Sequence, residues 1–167
     1  MNKDVAELAA SLAKPFERCF LKSYWDPHPH GLPTQGWGRL VSRYSLKKHL
    51  EEGKSKLEAD QWLQTTFPLI NQETADLWLE EDLKTANKGV LKYISAPLTV
   101  NQEAALTDFA FNVGVGNLQA STLRRLVNRL EYSEAATEFL CWNKAGGIVL
   151  KGLTKRRVAE SKCFSAK

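Results

Sequence analysis

The sequence predicts an α+β protein, mostly helical, with a small N-terminal β-hairpin lobe and a larger C-terminal helical lobe. Three observations lead there. Residues 21–25 alternate in strand fashion and run into 26–33, which holds three of the six prolines and must turn. Ala75, Trp78, Leu79, Leu83, Ala86, Val90 and Ile94 then form one apolar helical stripe. Beyond Pro97 only short helical segments follow. A helix over 71–96, at ~1.5 Å per residue, is over about 30 Å long, enough to join two lobes with a cleft between them.

Taken in order, Asp4 and Glu7 have capping-box spacing. With Leu8, Leu12 and Phe16 they predict a helix over 4–17, which Pro15 would kink or restart. Residues 34–38 read as the returning strand of a hairpin. Helical fragments fit 46–52 and 57–63, interrupted by Gly53 and ended near Pro68. Asn71 is the expected N-cap of the long helix. Thr99 and Gln102 form a capping box for a helix through 109–113 that Gly114 should stop. Further helices fit 122–130, 133–140 and 154–164, with a break at 145–147.

The chain has 167 residues, 43% of them hydrophobic, which suffices for one domain with a core and argues against disorder. No apolar run reaches the ~18 residues of a membrane span. Glu7 interrupts the apolar stretch 5–10 and Asp4 precedes it, so the N-terminus reads as a helix and not a signal peptide. These features predict synthesis in a cytoplasm. Cys19, Cys141 and Cys163 lack CxxC spacing and point to free thiols buried as small apolar side chains, with one disulfide left open. The net charge of +4 is concentrated at the C-terminus, where seven basic residues over 144–167 face Glu160 alone. Such a face attracts polyanions: nucleic acid, anionic lipid or an anionic cell wall.

For chemistry, Glu17 stands nine positions before Asp26, and Thr34 follows on the returning strand. A carboxylate near a helix end, facing a hairpin with a second carboxylate and a hydroxyl, suits cleavage of an acetal by water. Glycoside hydrolysis needs one protonated and one ionised carboxyl across the scissile bond. Taken alone, Glu17 reads first as an ordinary solvated helix-end acid and Asp26 as a turn-starting residue before Pro27. Trp25, Trp37 and Trp142 are candidates for stacking on sugars or for plain packing. His28 and His30 form an HxH with no third ligand, which reads as a loop tip. No metal or cofactor is expected.

Phe16-Glu17, Tyr24, Asp26-Pro27, Gly31, Thr34 and Gly36-Trp37-Gly38 resemble the catalytic segment of the phage-type lysozymes, glycoside hydrolase family 24. The resemblance continues in order through Trp78-Leu79-Glu80-Glu81-Asp82-Leu83, Pro97-Leu98-Thr99, Phe109-Ala110-Phe111-Asn112-Val113-Gly114 and Ser121-Thr122-Leu123. It ends with Trp142-Asn143-Lys144-Ala145-Gly146-Gly147, Gly152-Leu153, Arg156-Arg157 and Glu160, and is strongest toward the endolysins of lambdoid phages and prophages. The departures are Arg18 for a usual Gly, Arg39 for a usual His, two extra residues between Asp26 and Thr34, and a 40–68 stretch longer than in the simplest members.

The resemblance implies a single lysozyme-like domain over 1–167. Its N-terminal lobe would cover about 16–70, its linking helix 71–96 and its C-terminal lobe 97–167, with helix 4–17 packing near the last. It implies a muramidase that hydrolyses the β-1,4 bond between N-acetylmuramic acid and N-acetylglucosamine in peptidoglycan, with inversion. Glu17 would be the general acid, and Asp26 with Thr34 would position water. An arginine of the C-terminal helix, best matched by Arg156, would orient Glu17. Phe111, Asn112, Thr122 and Glu138 would line the glycan groove. Release through a holin and a monomeric state are the corresponding expectations. Two alternatives stay open. One is a lytic transglycosylase. The other is a non-catalytic cationic protein bound to anionic envelope lipids through the basic C-terminal segment. Nucleic acid is not an expected partner, since no binding motif accompanies the basic residues.

Overall fold

The computed structural model describes residues 1–27 and 30–166, so His28 of the HxH lies outside the described residues. The chain divides into two units, Glu17–Leu79 and Met1–Phe16 with Glu80–Lys167.

In the first unit, β1 (Phe20–Trp25), β2 (Pro33–Gly36) and β3 (Arg39–Leu40) form an antiparallel sheet in that order. The third strand was not expected. Gly36 and Gly38 adopt φ of 64° and 88°, a region closed to most side chains, so the chain reverses at Trp37 instead of continuing to residue 38. The side chains of this turn are fixed by the start of the long helix α4 (Gln72–Tyr93). Trp37 Nε1 donates to Asp76 at 2.7 Å. The Arg39 guanidinium lies 5.2 Å from the Trp78 ring centre, which gives that residue a packing role. Gln35, 1% exposed, donates to the carbonyls of Leu21 and Pro68, each at 2.8 Å.

Two short helices complete this unit. Ser45 caps α2 (Leu46–Glu51), and Ser55 with Glu58 forms the capping box of α3 (Lys56–Thr66). Between them His49, 1% exposed, is enclosed by the rings of Tyr44, Trp62 and Trp25. Neither of its ring nitrogens has a hydrogen-bond partner among the described residues. Burial, then the charge of Lys54, lowers its pKa, with Glu52 opposing.

In the second unit, α4 supplies Ala86 and Val90, and Ile94 follows just beyond its end, to a core shared with Leu106, Phe109, Leu118, Leu123, Phe139 and Phe164. Asn71 caps α4, its Oδ1 accepting from Thr74 N at 2.8 Å. The Thr99–Gln102 box opens α5 (Val100–Val113), and Gly114, with φ of 89°, ends it. Then come α6 (Val115–Ala120), which the sequence did not reveal, α7 (Thr122–Asn128) and α8 (Tyr132–Glu138), followed by a 3-10 turn over Phe139–Cys141. The break expected at 145–147 is a second small hairpin, β4 (Lys144–Ala145) with β5 (Ile148–Val149), whose tip is Gly146 and Gly147 and which leads into α9 (Lys151–Ser165).

Helix α1 (Lys3–Ala13) packs on α5 and α9. Its cap is Asn2, whose side chain accepts from Asp4 N, and not the Asp4–Glu7 box. It stops at Ala13: Lys14 still has helical dihedrals and donates to Ala10 O at 3.0 Å, but Pro15 has no N–H to continue the ladder. Glu17 therefore lies beyond the helix end. The cysteines are free, but Cys141 is exposed and Cys19 and Cys163 are half-buried, so they are not sealed core fillers. Among the described residues no helix is long and apolar enough to cross a membrane.

Gly89 in α4 is where the chain most needs a missing side chain: a Cβ there would sit 2.5 Å from both methyl carbons of Val115. Gly89→Ala gains helix propensity, yet the clash outweighs it, and we expect a net loss of about 1–3 kcal/mol in urea unfolding. Val115→Ala in the same background should return much of that loss.

Candidate active site

Within the first unit, β1 and β2 bring two of the three expected catalytic residues together. Tyr24 pairs directly with Thr34. Asp26, just past the strand, extends the ladder by donating its N–H to Leu32 O at 2.9 Å. Because strand side chains alternate, Tyr24, Asp26 and Thr34 lie on one face of the hairpin. The longer spacing expected between Asp26 and Thr34 leaves this pairing intact. Thr34 is buried and donates its hydroxyl to Leu32 O at 3.2 Å.

Glu17 and Asp26 are both half-buried. A Cβ on Gly38 would lie 3.6 Å from Glu17 Oε2. Glycine at the Trp37 turn thus leaves space directly beside that carboxylate. Burial raises the Tyr24 phenol pKa, and the charges of Asp26 and Glu17 raise it further. Tyr24 therefore keeps its phenolic proton and feels the charge of both acids. The sequence contained this residue, but only the cross-strand register shows its position.

The expected substrate-contacting residues belong to the second unit and form two groups. Thr122 and Glu138 line an open pocket of about 450 Å³ together with Asn117, Cys141 and Trp142. Glu138 and burial keep the Cys141 thiol above its ordinary pKa, with burial the larger cause. Phe111, Asn112 and Arg156 instead surround a buried charge cluster.

In that cluster Arg156 donates through Nε and Nη2 to Asp108, at 3.2 and 2.6 Å. It also lies 5.8 Å from the ring centres of Phe16 and Phe111. Arg157 Nη2 donates to Glu160 Oε1 at 2.7 Å and to Asn112 Oδ1 at 2.8 Å. A guanidinium only donates, so this bond fixes which way the Asn112 amide faces. Arg156 and Arg157 are 2% and 0% exposed. The basic C-terminal face is thereby reduced to lysines: Lys144, Lys151, Lys155 and Lys162 are exposed, while the two arginines are buried and hydrogen-bonded inside.

Of the tryptophans, Trp25 bonds Asp60 through Nε1 at 2.8 Å and stacks on Trp62 at 6.0 Å. Trp142 sets its edge against Phe109 at 5.2 Å and keeps part of its surface in the Thr122–Glu138 pocket. Among the described residues no group of three or more His, Cys, Asp or Glu is placed to hold a metal ion.

A family model described as phage lysozyme matches residues 14–160. The endolysin of Bacillus phage PZA is 31% identical over 162 residues, covering 97% of this chain and 55% of that protein. The endolysin of Bacillus phage B103 is 43% identical over 96 residues, covering 58% of this chain and 36% of that protein. The chain thus spans about half or less of the length of these two relatives. Among solved structures, the muramidase domain of SpmX from Asticaccaulis excentricus matches with a TM-score of 0.74 at 26% identity. That match covers 99% of this chain and 97% of that one.

Burial raises the Glu160 pKa well above its ordinary value, against the pull of Arg157. A carboxyl whose folded pKa is raised contributes stability that is complete below its unfolded pKa and is lost as pH rises through the folded one. Urea midpoints compared from pH 4 to 8 should show wild type losing ground to Glu160→Gln as pH increases. A constant difference would contradict the assignment.

Proposed function

The chain belongs to the phage lysozyme family, and on that premise we propose that it hydrolyses the β-1,4 bond between N-acetylmuramic acid and N-acetylglucosamine in bacterial peptidoglycan. The observation that carries this reading is the common face of Asp26 and Thr34, with Tyr24 sensing both Asp26 and Glu17.

In this reading Glu17 gives its proton to the glycosidic oxygen as the bond to the anomeric carbon breaks. The Thr34 hydroxyl has already committed its hydrogen to Leu32 O, so it meets water as an acceptor. A water that donates one hydrogen to Thr34 and the other to Asp26 keeps a lone pair for the anomeric carbon. Attack from the face opposite the leaving group inverts the configuration, and Asp26 takes the proton. Thr122, Glu138 and Trp142 offer a polar and aromatic wall for neighbouring sugars. Phe111 and Asn112 are held by the buried Arg156 and Arg157. The enzyme works as a monomer and reaches the wall from the bacterial cytoplasm through a holin. Expressed alone it should leave cells intact, and co-expression of a holin should trigger lysis.

Digestion of purified peptidoglycan by wild type and Glu17→Gln tests the core of the proposal. We expect the variant to lose about 10²- to 10⁴-fold in rate, and the products to carry ordinary reducing ends. Ends lighter by one water would indicate transglycosylation and remove the role given to Thr34. Killing that survives Glu17→Gln and fades with salt would instead favour a cationic envelope binder acting through the exposed lysines.

A further inference from the structure

Trp25 and Trp37, the first unit's candidates for stacking on sugars, are engaged elsewhere. Trp25 is bonded to Asp60 and stacked on Trp62, and Trp37 is bonded to Asp76. Phe20, at the start of β1, is 40% exposed, and among the described residues its ring meets one other aromatic, Tyr24. Four steps along β1, from Phe20 to Tyr24, are matched by only two along β2, from Gly36 to Thr34. The surplus is a bulge, a device that re-aims side chains. On a regular strand two residues four apart stand about 13 Å from each other. Here the ring centres lie 4.6 Å apart, with the planes tilted by 53°. Gly36, opposite Phe20, has no side chain to cover the ring.

We propose that Phe20 is a sugar platform: its exposed face, with Tyr24 at its side, stacks on one N-acetylhexosamine ring next to the scissile bond. The assignment rests on the muramidase reading. Tyr24 joins the platform to the chemistry, since it pairs with Thr34 and lies on the hairpin face that carries Asp26. A β-1,4-linked pyranose with equatorial substituents turns its axial C–H bonds to the two faces of the ring. Such a face is flat and weakly apolar, and an exposed aromatic ring covers it without needing a hydrogen bond. The hydroxyl and acetamido groups of the same sugar project from its rim, where the Tyr24 phenol keeps a proton to donate.

A lone exposed phenylalanine is ordinary on a protein surface. This one is held in place by a bulge that is fastened from the inside. Leu21 O accepts from Gln35 Nε2 at 2.8 Å and from Ile70 N at 3.1 Å. Ser23, buried, donates to Phe67 O at 3.0 Å, and its own carbonyl accepts from Gln64 Nε2 at 3.0 Å. The polar groups that the bulge takes out of the ladder are thus satisfied, and the two rings stand on a fixed backbone. A platform set in advance loses little freedom when a sugar docks on it.

The test digests peptide-free glycan strands with wild type, Phe20→Trp, Phe20→Leu and Phe20→Ala, counting reducing ends over a range of strand concentrations. Phe20→Ala and Phe20→Leu should raise KM about three- to tenfold, with the loss absent from kcat. Phe20→Trp should stay within about twofold of wild type. Leucine keeps the apolar bulk and lacks the flat face, so a merely structural role would be met by Phe20→Leu. A wild-type KM in Phe20→Leu or Phe20→Ala, or a loss confined to kcat, would overturn the proposal and leave the muramidase reading in place. Failure of wild type to release reducing ends would overturn both. Binding without turnover gives an independent readout. Titrated with the same strands, Glu17→Gln combined with Phe20→Trp should change its tryptophan fluorescence more than Glu17→Gln alone, and equal responses would also refute the platform.

Discussion

The pairing of Tyr24 with Thr34 is the constraint on which the proposed chemistry depends. Strand side chains alternate with a period of two, so moving one strand by a single residue would send Asp26 and Thr34 to opposite faces. Several contacts oppose such a slip. Gln35 is fastened to two carbonyls at once, Gly36 turns the chain at a fixed point, and Trp37 and Arg39 are held by Asp76 and Trp78. The Asp26 N–H to Leu32 O bond closes the ladder on the loop side, and the Trp37 turn closes it on the other.

The second unit solves a different problem. Two arginines adjacent in sequence are both buried, and each brings a desolvation cost that only good partners offset. Asp108 on α5 and Glu160 on α9 supply them, and Asn112 takes one further donor. The arrangement joins α5 to α9 through charges with defined directions, which apolar packing does not provide. Arg157 Nε and Nη1 and Glu160 Oε2 still have no partner among the described residues. The cluster is thus incompletely compensated.

What could be read from the sequence follows from the length of each signal. The stripe from Ala75 to Ile94 repeats over five turns and the Thr99–Gln102 box has a fixed spacing, and both appear in the structure where expected. Strands β3, β4 and β5 have two residues each, too few for a period to emerge. Helix α6 begins directly after the Gly114 stop, where a loop was the natural reading. The end of α1 is set by the N–H that Pro15 lacks, which leaves Glu17 off the helix. The C-terminal charge misled more deeply. Summed charge does not tell which cations are already matched inside, and here the arginines are matched while the lysines stay outside. Glu17, Asp26 and Thr34 were legible as residue types, whereas the position of Tyr24 required the register.

His49 and Glu160 give the two units opposite acid responses. The ring at 49 has no partner for a second proton, so acidification works against the fold around it, since a depressed histidine pKa means stability is lost as pH falls. The carboxyl at 160 has the reverse preference. One buried side chain in the molecule resists taking up a proton, and another resists giving one away.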